Sequence, residues 1–99
     1  MKILLKTLLL LLLIIIQPNQ KNNLDYVPNA ETAIKIAEAI WLPIYGDKVL
    51  NKKPFIATLN QDGKVWIVKG SISEDVLGGY PIIEIQKSDC KILKVSHSK

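Results

Sequence analysis

The chain contains no arginine; all thirteen of its basic residues are lysine. Arginine's planar fork is the usual choice for bidentate contacts to phosphate and base edges, so its absence argues against nucleic-acid readout. There is one cysteine, Cys90, and one histidine, His97. A single cysteine excludes an internal disulfide, and with a single histidine it excludes a structural zinc site. Cys90 also lies too far from the amino terminus to carry a lipid, and it reads as a tolerated thiol. His97 sits two residues from the last position and reads as solvated rather than catalytic. A phosphate-binding glycine loop is missing as well, because Gly78-Gly79 neither leads from a strand into a helix nor precedes a lysine at the required spacing. Ser96, His97 and Asp89 contain the groups of a nucleophilic triad, but nothing in the sequence brings them together. No cofactor, metal or catalytic residue is therefore assigned.

Long apolar runs are also scarce. The longest, Leu8 to Ile16, follows Lys2 and Lys6 and is about half of what a bilayer-crossing helix needs. A basic start followed by such a run fits the opening of a secretory signal. The stretch after it, Ile16-Gln17-Pro18-Asn19-Gln20-Lys21, has no small residues at the usual cleavage positions, and the first alanine is Ala30. Two readings stay open for residues 1–20: a signal peptide cut at an unusual site, or an uncut amino-terminal membrane anchor. Both predict export, with the protein periplasmic or held at the inner membrane facing the periplasm. Membrane contact is expected only through this leader, and Gln17 to Asn23 reads as a polar tether.

With 99 residues there is room for one folded domain, placed at residues 24–99. At roughly 75 to 80 residues such a core is close to the lower limit of self-sufficiency, so association with a partner or a second copy, a homodimer, is reasonable on stability grounds. The formal charge is +4; leaving out Lys2 and Lys6 brings it to +2, too weak to draw in nucleic acid.

The domain opens with a helix. Asn29 is a good N-cap, and Glu31 stands in the first turn where the helix dipole favours a carboxylate. Ile34, Ala37, Trp41 and Ile44 recur at helical spacing, widened by Ala33, Ile36 and Ile40, while Glu31, Lys35 and Glu38 mark the wet side. Pro43 lacks the donor for Ala39 and predicts an end or kink there, with Gly46 placed to finish the helix. Beyond it the period changes to two. Pro54 opens a strand whose Phe55, Ala57 and Leu59 share a face, Asn60-Gln61-Asp62-Gly63 is a turn, and Lys64 to Ile72 returns as the second strand. Glu74 to Tyr80 reads as a loop. Ile82–Lys87 and Lys91–His97 form a second hairpin around Ser88-Asp89-Cys90. One amphipathic helix packed on a curved four-stranded antiparallel sheet is an α+β roll, equally well described as cystatin-like.

Three groups of residues offer binding chemistry. Val65, Trp66, Ile67 and Val68 are apolar on both faces, whereas a sheet with one wet face should alternate. With Trp66 and Val68 turned to the helix, Val65 and Ile67 stand outside beside Ile56 as a candidate association surface. Tyr80 beside the glycine pair is the best candidate for an aromatic contact, because loops carry recognition and tyrosine is a common interface anchor. Glu74, Asp75 and Glu84 lend that end an acidic character.

Several stretches carry a family resemblance. They are Tyr26-Val27-Pro28-Asn29-Ala30-Glu31-Thr32-Ala33, Ala39-Ile40-Trp41-Leu42-Pro43-Ile44-Tyr45-Gly46, Lys53-Pro54-Phe55-Ile56-Ala57, Val65-Trp66-Ile67-Val68-Lys69-Gly70, Gly79-Tyr80-Pro81 and Glu84-Ile85-Gln86-Lys87-Ser88-Asp89-Cys90-Lys91-Ile92-Leu93. With them the chain resembles small bacterial immunity proteins whose fold is related to nuclear transport factor two, found with Rhs-type and other polymorphic toxins. The resemblance implies stoichiometric binding that neutralises a cognate toxin in the cell envelope, without catalysis. Fuller members of the fold build a cone from several helices, so with one helix the pocket of their enzymes is expected to be reduced. An isomerase or dehydratase of that kind needs a base and an acid in one dry pocket, for which Asp25, Asp47, Tyr26 and Tyr45 are available. The closing hairpin also suits a PepSY-like or cystatin-like periplasmic peptidase inhibitor or accessory domain, which is the alternative.

Overall fold

The structure, a computed structural model, describes residues 24–72 and 78–98. Helix α1 runs Ala30–Tyr45. Its cap is Asn29, in extended conformation, whose Oδ1 accepts from the Thr32 backbone N–H at 2.9 Å and from the Thr32 hydroxyl at 2.8 Å. Ala33, Ala37 and Trp41 are fully buried at four-residue spacing. The two alanines let the helix approach the sheet closely, and Trp41 fills the space beyond them. The helix does not stop at Pro43. Both Pro43 and Ala39 are exposed, so water can satisfy the carbonyl that the proline leaves without a donor. Termination comes at Gly46, with φ +77°, whose N–H donates to the Leu42 carbonyl at 2.8 Å.

A 3-10 turn, Asp47–Lys52, follows at once and buries Val49. It has no counterpart in the periodicity, which shows only one apolar anchor over six residues.

Four strands come next: β1 Ile56–Leu59, β2 Val65–Lys69, β3 Pro81–Gln86 and β4 Ile92–His97. They form one antiparallel sheet in the order β1-β2-β3-β4, joined successively as a meander. Asn60 closes the first hairpin, its Oδ1 accepting from the N–H groups of Lys64 and Val65 at 3.1 Å each, while Gly63 takes φ +73°. Strand β2 is shorter than the expected Lys64 to Ile72. At Ser71 the N–H leaves the ladder and donates to the Lys52 carbonyl at 2.7 Å, so the chain turns to the 3-10 segment. The β3–β4 ladder shifts register between Glu84 and Ile85.

Alternation divides the sheet into two faces. Phe55, Trp66, Val68, Pro81, Ile83 and Ile85 are buried on the face that meets α1. Trp41 and Phe55 meet edge to face with centroids 5.0 Å apart, an arrangement worth about 0.5–1.5 kcal/mol beyond area burial. The segment before the helix belongs to this core too. Val27 is fully buried, its N–H donates to the Lys87 carbonyl at 3.0 Å, and Asp25 pairs with Lys87 at 3.3 Å. The α+β roll expected from the sequence is the fold observed.

Candidate functional site

Strand register decides which side chains stand together on the face away from the helix. One row across the sheet is Ile56, Lys69, Ile82 and Ser96; the next is Thr58, Ile67, Glu84 and Lys94; Val65 lies opposite Gln86. Val65 and Ile67 thus point outward beside Ile56 as the alternation required. Ile56 is 56% exposed, and Val65, Ile67 and Ile82 are half-buried. Tyr80 is half-buried rather than displayed on a loop tip. It flanks an open groove of about 510 Å³ with Ile56, Thr58, Lys69 and Ile72. Its carbonyl accepts from the Ser98 N–H at 2.9 Å, extending the β3–β4 ladder by one bond.

Of the expected acidic end, Glu74, Asp75 and Glu84, only Glu84 is among the described residues. Glu84 does not sit at the loop. It lies within β3, flanked in register by Ile67 and Lys94. Glu74 and Asp75 lie outside the described residues. The structure therefore gathers Ile56, Val65, Ile67, Tyr80 and Glu84 on one side of the sheet, where Lys69 stands between Ile56 and Ile82 and Glu84 between Ile67 and Lys94.

Sequence reasoning missed two features. Helix α1 packs on β1, β2 and β3, leaving Ile92, Leu93 and Val95 of β4 36–42% exposed on the edge of the sheet. Apolar residues in a last strand read as core until the width of the helix is known. The second feature is a half-open cleft of about 310 Å³ between the end of α1, the 3-10 turn and the Pro81–His97 end of the sheet. Tyr45, Lys48, Asn51, Lys52 and His97 bring polar groups to it. The Tyr45 and His97 rings lie 5.7 Å apart, so His97 is held against the helix end. The Lys52 ammonium nitrogen is shielded from solvent, and no described residue accepts a hydrogen bond from it.

The groups considered for acid–base chemistry do not converge. Asp25 and Tyr26 are exposed in the segment before the helix, Asp47 is exposed at the start of the 3-10 turn, and only Tyr45 reaches the cleft. No carboxylate lines it among the described residues. Those residues also hold no group of three or more His, Cys, Asp or Glu side chains able to share a metal, and no helix long and apolar enough to cross a membrane.

The chain is 37% identical over 77 residues to an uncharacterized protein of Escherichia coli (strain K12), YhhH, an overlap of 76% of this chain and 59% of YhhH. It therefore spans less than two thirds of that relative. No solved structure matches. A helix laid on a four-stranded antiparallel sheet, with a roll open at one end, is the arrangement on which the family comparison can be placed, and that comparison covers most of the described domain: residues 32–99 match the NTF2 fold immunity protein family, to which this chain belongs.

Proposed function

We propose that this protein neutralises a cognate toxin of a polymorphic toxin system by stoichiometric binding, without catalysis, in the cell envelope. Family membership supplies the class of function. The observation that carries the binding mode is the outward set of Ile56, Ile67 and Ile82, with Ile67 diagonal to the other two, on a sheet whose other face already holds the core. Exposed apolar side chains gathered on one face are a usual mark of a protein-binding surface. Val65 and Tyr80 widen the patch, and Lys69 and Glu84 within it, with Lys94 beside Glu84, supply charges suited to partner choice. The exposed β4 side chains are a separate strip, where a second copy could pair to form a homodimer.

Compartment follows from the leader: a basic start with a nine-residue apolar run, Leu8 to Ile16, fits export to the periplasm or anchoring at the inner membrane. The deciding experiment is protection. The carboxy-terminal domain of the large open reading frame next to this gene is expressed with and without the full chain, directed in turn to cytoplasm and periplasm. Rescue in the periplasm with a co-purifying complex is the expected result. A toxic domain that the full chain neither rescues nor binds overturns the proposal, and inhibition of several unrelated peptidases would point to a general inhibitor of the PepSY or cystatin type instead.

A further inference from the structure

We propose that the cleft at the end of α1 is a receptor for a carboxylate, with the Lys52 ammonium as its primary partner, and that an acidic side chain of the toxin supplies it. The source of the carboxylate rests on the immunity reading; the chemistry of the cleft does not.

An ammonium withdrawn from water requires acceptors, because burial without them disfavours the charged form. Three other lysines have found carboxylates: Lys35 with Glu31 at 3.4 Å, Lys53 with Glu38 at 2.8 Å and Lys87 with Asp25 at 3.3 Å. Lys52 has none among the described residues, although its nitrogen is shielded from solvent. Lys48, Asn51, Tyr45 and His97 can each donate a hydrogen bond, and no described carboxylate is present to compete. Such a donor set recognises an anion, and a carboxylate accepts from several donors at once.

The lysine is also held at its base. Its carbonyl accepts from the Ser71 N–H at 2.7 Å. A Cβ on Gly70 would come within 3.0 Å of the Lys52 Cβ, so backbone and side chain are already in close contact there. Val49, in the same 3-10 turn, is anchored in the core. These contacts fix the backbone and Cβ of Lys52 at the edge of the cleft. A volume of about 310 Å³ lies at the small end of ligand sites, enough for one acidic side chain and its flanking backbone.

The test has two arms, both with the full chain purified in non-ionic detergent. In the first, amide and side-chain NMR spectra are recorded while sodium acetate is added, with sodium chloride at equal ionic strength as the control. Acetate should shift the Asn51 and His97 signals saturably where chloride does not, and Lys52→Met should abolish the response. Lys48→Gln, at an exposed position of the same cleft, should weaken it several-fold and serves as the check if Lys52→Met fails to fold. In the second arm, the complex with the toxin domain should be weakened at least tenfold by Lys52→Met. No acetate response in the unaltered protein overturns the receptor. A response that persists in a Glu74→Gln/Asp75→Asn variant and strengthens there would assign the cleft in the parent chain to those two carboxylates and overturn the toxin source. An acetate response with undiminished toxin affinity in Lys52→Met likewise overturns the toxin source and leaves a small free carboxylate as the ligand. If the unaltered chain binds no toxin domain at all, the immunity reading fails while the acetate arm still decides the cleft.

Discussion

The Trp66 indole N–H donates to the Val27 carbonyl at 2.8 Å across 39 residues, joining the central strand to the segment that leads into the helix. Both groups are buried, so the bond is made where water cannot replace it. Trp66→Phe keeps most of the ring but leaves that carbonyl without its donor, a loss of about 1–3 kcal/mol. Urea unfolding should show the lower midpoint, and amide exchange at Tyr26 and Val27 should speed up before the rest of the sheet responds. Unchanged exchange at those two amides would show that the segment is held by the Lys87 and Ser88 backbone bonds instead.

Gly70 marks a close backbone approach: a Cβ added there would lie 2.7 Å from the Pro81 Cδ and 3.0 Å from the Lys52 Cβ. Gly70→Ala must push Pro81 or the 3-10 turn aside and should cost about 1–3 kcal/mol. Gly63→Ala supplies the contrast: it meets nothing within 4 Å but sits at φ +73°, so its cost should come from backbone conformation, about 1–2 kcal/mol. Thermal melts of both, with His97 resonances as a local probe, separate the two causes; only Gly70→Ala should move His97.

Asn29 and Glu31 illustrate unequal stakes at one helix end. Asn29→Ala removes two hydrogen bonds to Thr32 and should lower stability by about 1 kcal/mol. Lys35→Ala breaks only the exposed pair with Glu31 and should change stability by less than about 0.5 kcal/mol. Equal losses in chemical denaturation would contradict this.

Cys90 is the one non-glycine residue with positive φ among those described, at +65°, in the β3–β4 turn where its N–H donates to the Gln86 carbonyl at 2.9 Å. A β-branched side chain tolerates that conformation poorly. Cys90→Val should therefore destabilise by more than about 1 kcal/mol, whereas Cys90→Asn, which accepts it readily, should stay within about 1 kcal/mol of the parent. The same pair of variants tests whether the thiol matters, since protection retained in Cys90→Asn makes a redox role unnecessary.

On the outer sheet face, Ile67→Asp places a charge among Ile56, Val65 and Ile82 without touching the core. Toxin binding should fall by at least a hundredfold, a hot-spot loss of about 3 kcal/mol, while far-UV circular dichroism stays unchanged. Ser88→Asp, exposed in the distant β3–β4 turn, should leave binding as it was. Full affinity in Ile67→Asp would move the contact surface elsewhere, with the β4 strip of Ile92, Leu93 and Val95 next to be altered.

Much of this was legible in the chain before any fold was known. Asn29, Gly46 and the Asn60–Gly63 turn act through neighbours only a few residues away, so their residue types alone announce helix start, helix end and hairpin. Alternation did the same for Val65 and Ile67, because a strand that buries Trp66 and Val68 must send its other side chains outward. Pro43 misled because its effect depends on solvent reaching Ala39, a matter of where the helix lies. The 3-10 turn was invisible because six residues with one buried valine carry no period.

The sequence by itself determined the order of elements, the two faces of the sheet and the family, since each follows from local pattern or from residue identity along the chain. Tertiary structure alone decided that Val27 would cap Trp66, that Glu84 would stand beside Ile67 rather than at the loop, and that Lys52 would lose its water in a cleft shared with His97. Those pairs are separated by 17 to 45 positions and share no period. They meet only because strand register, the width of one helix and the close approach at Gly70 fix which distant residues face each other.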